Sequence, residues 1–310
     1  MNENSRKKVT VCIPVYNGAL TIGSLVSEVT DSLQDRYETE IVLVNDYSRD
    51  NSHDVCRDIA TKNSAVKYIR LRKNFGEHNA VMCALNYSTG DLVAIIDDDF
   101  QNPPSEILKL LDEAEQGFDV VYSKFKIKRH NLYRNLGSKF NDLVATWLLD
   151  KPKGLYLSSF KVISAEMVKQ IIRYTGPAPY VDGLLLRETR NYSVVEVEHH
   201  EREAGQSNYT LAKLVSLWLN MFINFSVKPL RLFALFGISV TIVSFVAAAV
   251  FIIQKMIDPS LPMGWTSVMV SILFFSGVQI IFLGLIGEYI GKNYLQINGT
   301  PQWSVEEEHL

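Results

Sequence analysis

A chain of 310 residues, 47% hydrophobic and 21% charged with net charge −3, has room for one large globular domain and something smaller. That charge balance, with no aromatic-interleaved basic face, excludes nucleic acid as a partner. The start MNENSRKKVTVCIPVYN has no sustained apolar run before Pro14, so it does not read as a secretory signal, and Cys12, Cys56 and Cys83 fit neither metal spacing nor an even disulfide set.

From the N-terminus the pattern alternates. VTVCIPVYN reads as strand and turn, TIGSLVSEVTDSLQ as an amphipathic helix, EIVLVND as a buried strand and SHDVCRDIATKN as a second helix. VKYIRLR and DLVAIID continue as strands, with HNAVMCALNYS as the helix between them. Strands separated by helices predict an α/β domain with a mainly parallel sheet covered on both faces, which gathers ligands at the carboxyl ends of its strands. Those ends are residues 14–17, 45–50, 72–76 and 97–99, where the polar punctuation of this region lies.

Further on, Leu232–Ile253 and Met263–Ile286 contain no Asp, Glu, Lys or Arg, and each is long enough to cross a bilayer, for which roughly 20 helical residues suffice. Two buried core helices are the alternative. Lys228 and Arg231 precede the first span and Lys292 follows the second, so the positive-inside bias puts both ends in the cytoplasm. Residues 211–231 carry Leu214, Leu217, Trp218, Met221, Phe222 and Phe225 at helical spacing, which predicts an interfacial helix, with a packing helix between domains as the competing account. The organisation expected is a soluble domain over 1–210, the amphipathic segment 211–231, a two-helix membrane region 232–290 and a cytoplasmic tail 291–310. Glu288, at the end of the second span, belongs at the interface or in an ion pair.

The densest chemistry is AIIDDDFQNPP, residues 94–104. Strand alternation would put Asp97 and Asp99 on one face and Asp98 on the other. Two such carboxylates repel unless a cation holds both ionised, and Mg²⁺ or Mn²⁺ favours one or two carboxylates completed by phosphate oxygens. A solvated acidic turn or a helix N-cap before Pro103 and Pro104 is the alternative on the triplet alone.

The ordered set CIPVYN (12–17), VNDYSRDNS (44–52), RKNFGEHNAV (72–81), IIDDDFQNPP (95–104) and GQSNYTLAKL (205–214) resembles the inverting family-2 glycosyltransferases, in their membrane-attached polyprenyl-phosphate branch. The resemblance covers the soluble domain and the tail ending LGLIGEYIGKNY. It implies a GT-A, Rossmann-like nucleotide-sugar domain in which Pro14, Tyr16, Asn17, Asp46, Asn74 and Asp98 line the nucleotide side. Asp97 and Asp99 match the family's DXD metal ligands, Gln101 follows as a catalytic-centre residue, and Arg202, Ser207 and Tyr209 match the segment that closes over the diphosphate. Packing for Tyr16 and turn-shaping for Asn17 and Asp46 remain competing roles.

The chain departs from the family at Asn45, Asn208 and Ser159, the last replacing an acid that is the candidate base or acceptor-positioning group in relatives. A phosphate acceptor tolerates that loss, since a phosphomonoester with a second pKa near 6 is already mostly ionised. Lys124, Lys126, Lys128, Arg129 and Arg134 form a basic run that, with Ser158 and Ser159, is the candidate acceptor-phosphate site, an ordinary lysine-rich surface being the alternative. The expected reaction is transfer of one sugar from a nucleotide sugar, on branch resemblance a UDP-sugar, to polyprenyl (undecaprenyl) phosphate with inversion. It would take place at the inner membrane, in a homotetramer by analogy. The rivals are a processive polysaccharide synthase, whose Gln-x-x-Arg-Trp element is missing because Gln302–Trp303 lacks the arginine, and a silent nucleotide-binding scaffold.

Overall fold

The computed structural model describes residues 6–125, 146, 150–152, 154–200, 228–257 and 264–310. The described residues fall into two compact units: residues 6–200 with 299–310 form the first, and those between 228 and 298 the second.

The first unit is built on an eight-stranded mixed sheet. Its elements are β1 (Lys8–Val15), α1 (Ile22–Leu33), β2 (Glu38–Asn45), α2 (Ser52–Lys62), β3 (Val66–Leu71), α3 (Glu77–Tyr87), β4 (Leu92–Ile95), a 3₁₀ turn at Pro104–Glu106, α4 (Ile107–Ala114), β5 (Val120–Phe125), β6 (Lys161–Ser164), α5 (Ala165–Ile171), α6 (Val181–Glu188), β7 (Tyr192–Val197) and β8 (Val305–His309). Strand order is β7-β5-β6-β4-β1-β2-β3-β8. The four consecutive strands β4, β1, β2 and β3 are parallel, β6 runs antiparallel to both β4 and β5, and β8 runs antiparallel to β3. In β1, Val9 to Val15 are all buried, because a parallel sheet covered on both faces leaves no polar side to the strand. Val11, Ile13, Ile41 and Leu43 of the sheet share one core with Leu25, Val29 and Leu33 of α1 and with Leu110 and Leu111 of α4.

Two sequence expectations need correcting here. Strand β4 ends at Ile95, so Asp97, Asp98 and Asp99 lie on the turn beyond it and strand alternation does not set their directions. That turn carries Phe100 at φ 56°, a left-handed residue that extended backbone does not contain. Residues 291–310 are also not a separate tail: 291–297 continue a helix of the second unit, and Val305–His309 form the outer strand of the sheet. A short acidic strand of sequence VEEEH has no apolar run to announce it.

The second unit holds α7 (Lys228–Ile257) and α8 (Trp265–Ile297), longer than the charge-free stretches that predicted them. Leu230–Ala247 and Phe274–Ile297 are apolar enough to cross a membrane, and neither window is buried, with Phe245 75% and Ile280 69% exposed. Buried core helices would not leave those side chains open. Phe282 of α8 meets Phe233 of α7 edge to face at 5.1 Å, which pairs the helices as a hairpin. The expected interfacial segment lies outside the described residues except for 228–231, which open α7.

Candidate active site

The carboxyl ends of β1, β2 and β4 bring three turns together. Pro14 can sit near the middle of the sheet because even-numbered residues of β1 turn their peptide groups toward β4, as Ile96 N shows by donating to Cys12 O. The ladder with β4 stops at Cys12–Ile95, so the missing N–H of Pro14 deprives no partner strand. Beyond Val15, Asn17 adopts φ 59°, its N–H donating to Ser48 Oγ (3.0 Å) while its Oδ1 accepts from Arg49 N (2.9 Å). Asn17 thus fastens the β1 turn to the β2 turn, a shaping role that Asn fills because its short amide tolerates the left-handed region. Tyr16 is 43% exposed on this edge, and beside it stands Tyr47, 44% exposed at φ 57°, with the Arg70 guanidinium 5.7 Å from its ring centre. Tyr47 went unnoticed in the sequence, where it read as one residue of a turn.

Asp46 is 3% exposed, and its two oxygens accept from Phe75 N (2.7 Å) and Gly76 N (2.8 Å), while Asn74 Nδ2 reaches Asp46 O at 3.3 Å. Burial raises its pKa and those two bonds oppose the rise. The visible work of Asp46 and of the exposed Asn74 is to hold the 74–76 loop against the end of β2.

On the turn after β4, each aspartate has its own partner. Asp97 Oδ2 accepts from Ser159 Oγ at 2.5 Å, Asp98 Oδ2 from Tyr16 N at 3.1 Å and Asp99 Oδ1 from Gln101 N at 3.2 Å. Gln101 O in turn accepts from His200 N (2.8 Å), which ties the exit of β7 to the acidic turn. Gly18 is required beside Asp98, since a Cβ there would come within 2.3 Å of Asp98 Oδ2. His199, ring to ring with Phe125 at 4.1 Å, has its pKa lowered by burial, while the Asp99 charge pulls the other way.

A second acid enters from α3. Glu77 stands at the first position of α3, its pKa pushed up to about 7 by the protein around it and then by the charges of Asp97, Asp182 and Asp98, with Lys161 opposing. Lys161 is committed elsewhere: it makes a buried ion pair with Asp182, and its Nζ lies 5.3 Å from the Tyr122 ring centre. The Tyr122 hydroxyl is buried with no hydrogen-bond partner among the described residues. His78 packs edge to face on Tyr180 at 5.0 Å, and burial lowers its pKa to about 4, so it is neutral at pH 7. Among the described residues Glu77, Asp182 and the three aspartates gather at this edge, and Lys161 there is paired with Asp182. Neither Glu77 nor His199 was singled out in the sequence, although Glu77 lies inside the 72–81 motif.

The acceptor-side residues divide differently. Ser159 meets Asp97, but Ser158 is 3% exposed and its Oγ accepts from Ser123 Oγ (2.7 Å) and Phe160 N (3.2 Å), so it packs between β5 and β6 and does not face solvent. Lys124 is exposed near the end of β5, opposite Glu196 in the ladder. Lys126, Lys128, Arg129, Arg134, Arg202, Ser207, Asn208 and Tyr209 lie outside the described residues.

Can this edge hold a divalent ion? Among the described residues no cluster of three or more His, Cys, Asp or Glu side chains forms a cage. Paired aspartates, hard oxygen donors on one turn, suit a Mg²⁺-type ion that takes its remaining ligands from phosphate and water.

A mixed sheet with a parallel centre and an acidic turn at its carboxyl edge is a nucleotide-sugar transferase arrangement, and the comparisons agree with it. Residues 10–168 match glycosyl transferase family 2, and 228–292 match the GtrB C-terminal hairpin. The chain belongs to glycosyl transferase family 2. It is similar to undecaprenyl-phosphate 4-deoxy-4-formamido-L-arabinose transferase of Serratia proteamaculans (strain 568), 32% identical over 97% of this chain and 94% of that one. The protein of that name from Proteus mirabilis (strain HI4320) is 30% identical over 97% and 93%. Among solved structures, glucosyl-3-phosphoglycerate synthase from Mycobacterium tuberculosis, in complex with Mn²⁺, UDP-glucose and phosphoglyceric acid, superposes with TM-score 0.51 at 17% identity, covering 69% of this chain and 76% of that one. The same enzyme with phosphoglyceric acid gives TM-score 0.53 at 16% identity over 71% and 79%. At such identity the likeness establishes the fold.

Proposed function

We propose that this glycosyltransferase moves a single sugar from a nucleotide-sugar donor, a UDP-sugar, to undecaprenyl phosphate, with inversion at the anomeric carbon. The observation that carries the reading is the turn of three aspartates at the carboxyl edge of the sheet, in a chain that also carries an apolar helical hairpin. The names of the two full-length relatives support the acceptor and the reaction class.

Asp97 and Asp99 would hold Mg²⁺ or Mn²⁺, which offsets the charge of the departing diphosphate. Ser159 orients Asp97, Asp98 joins the acidic turn to the Tyr16 turn, and Asp46 keeps the 74–76 loop in place beside the nucleotide. A nucleobase bond to Asp46 adds to that positioning. Gln101, following the acidic turn, and the segment of Arg202, Ser207 and Tyr209 complete the diphosphate side. Lys124, Lys126, Arg129 and Arg134 supply compensating positive charge for one anion attacking near another. The attacking phosphate oxygen needs no general base, which fits a serine at position 159. Both chain ends face the cytoplasm at the inner membrane, crossed by α7 and α8, and the protein assembles as a homotetramer.

Purified protein given undecaprenyl phosphate, Mg²⁺ or Mn²⁺ and a panel of nucleotide sugars should yield one lipid carrying one sugar, identified by mass spectrometry. A long polar polymer would favour a processive synthase. Nucleotide binding with no transfer from any donor would favour a silent scaffold.

A further inference from the structure

The 72–81 motif follows β3 at the carboxyl edge of the sheet, and the C-terminal segment grips it twice. Arg72 N donates to Ser304 O at 2.8 Å, and Asn79 Nδ2 donates to Gln302 O at 2.5 Å. Gln302 is 7% exposed, and its Nε2 donates to Gly176 O (2.8 Å) and Tyr174 O (3.2 Å), while Asn79 Nδ2 also reaches Pro177 O (3.1 Å). Gly176 lies so close under the Tyr174 ring that a Cβ would meet the hydroxyl at 2.4 Å. Two amides therefore hold three pieces of chain together: the Gln302 side chain ties the tail to the 174–177 loop, and the Asn79 side chain ties the first turn of α3 to that loop and to the Gln302 main-chain carbonyl.

Two of these pieces lead toward the acidic edge. The first turn of α3 carries Glu77 and His78, and His78 packs on Tyr180, which precedes α6. The 174–177 loop leads into α6, whose Asp182 holds Lys161 in its buried pair. The Asp46 carboxylate fixes the N-terminal side of the motif through Phe75 N and Gly76 N, so Gln302 supplies the fixed point on the other side. Asn298 to Pro301 are all that separates Gln302 from the end of α8, with Gly299 at φ 66° making the left-handed turn that ends the helix.

We infer that Gln302 is a positioning residue for sugar transfer, its side chain fixing the 174–177 loop that leads into α6 and its Asp182–Lys161 pair, beside the first turn of α3. The inference rests on the transferase reading above. Its side chain acts on the loop leading to α6 and not on the Tyr16 or Asp46 turns, so its loss affects the chemical step more than donor binding.

The test uses the full chain in nanodiscs, with Gln302→Met, Asn79→Ala, the double variant and, as a control on β8, Glu306→Gln, which disturbs only the surface pair with Arg70. Gln302→Met should lower kcat about 10-fold with donor KM within about 2-fold, and the amides of residues 174–180 should exchange about 10-fold faster while those of β1 and β2 stay unchanged. Asn79→Ala, which loses the bonds to Pro177 O and the Gln302 carbonyl, should do the same, and the double variant should be no worse than either, since each frees the same 174–177 loop. Glu306→Gln should match wild type. If Gln302→Met does not fold, Asn79→Ala carries the same expectations by itself. Unchanged kcat despite faster exchange at 174–180, unchanged exchange, or additive losses would overturn the inference. The exchange arm needs no donor, so a wild type inert with every nucleotide sugar would count against the transferase reading and leave the link judged separately.

Discussion

Strand β2 carries a buried acid at each end, and the two are treated in opposite ways. Near its start Glu40 receives Lys67 Nζ at 2.9 Å and Lys8 Nζ at 3.2 Å, with hydroxyl bonds from Thr10 (2.7 Å) and Thr89 (2.9 Å). Burial pushes its pKa up, but those partners prevail and hold it near 2. Just past the other end, Asp46 has backbone N–H groups on its oxygens and a raised pKa, in the neighbourhood of the Asp97–Asp99 turn. The amino edge of the sheet balances its acid internally. Among the described residues the carboxyl edge brings Asp97, Asp98 and Asp99 together on one turn, while Lys161 is paired with Asp182. Excess charge of one sign, held in place by hydrogen bonds, separates a site from a structural network.

The contrast breaks first at the acidic turn. Asp99→Ala removes a carboxylate of the proposed metal site, so transfer should fall roughly 10³-fold, about 4 kcal/mol of barrier, with the thermal midpoint little changed. Rates near wild type at saturating Mg²⁺ would contradict the assignment of that turn. Glu40→Gln is the mirror experiment: it should cost about 3 kcal/mol of stability at pH 7 and leave the kcat of the surviving fold unaltered. Because the folded pKa of Glu40 lies near 2, below the ordinary 4.5, its contribution is full above about pH 4.5 and disappears as pH falls toward 2. Wild type and Glu40→Gln should therefore converge in stability on acidification, which melting in detergent across that window would record.

How much of this edge could be read from residues alone follows from the range of each contact. The alternation of apolar strands and amphipathic helices is local, and it correctly located the four parallel strands and the edge where turns meet. The aspartate triplet was legible as a site, but its geometry was not, since DLVAIID gives no sign that β4 stops at Ile95. Ser159 looked like a lost acid because its partner Asp97 lies 62 residues away. The tail was least legible: Gln302 finds Asn79 across 223 residues, and a polar edge strand pairs through backbone bonds that no side-chain period reveals.

A subtler change to the acidic edge is Gly18→Ala. The added methyl would sit 2.3 Å from Asp98 Oδ2, so Asp98 must rotate and give up its bond from Tyr16 N. The Tyr16 turn then loses its anchor to the acidic turn. Donor KM should rise by roughly 10-fold, about 1.4 kcal/mol, with a smaller change in kcat. Unaltered donor KM would mean that the Tyr16 turn and the acidic turn work independently.

Ser159 offers the smallest and most discriminating test. Its hydroxyl donates to Asp97 in a half-buried setting, and a hydrogen bond to a charged group there is worth about 1 kcal/mol, so Ser159→Ala should slow transfer about 5-fold. Ser159→Asp introduces the acid that the family resemblance implies at this position, yet it sets a second carboxylate where Asp97 now receives a proton donor. Repulsion between the two should make it slower than Ser159→Ala at pH 7, and raising the Mg²⁺ concentration should recover part of the loss by screening the pair. At the amino edge, where lysines already surround Glu40, a comparable added acid at Thr89 should show no such metal response. Equal or faster transfer by Ser159→Asp would mean that position 159 serves the acceptor and not Asp97, and that the excess of acids on this edge is not what limits the site.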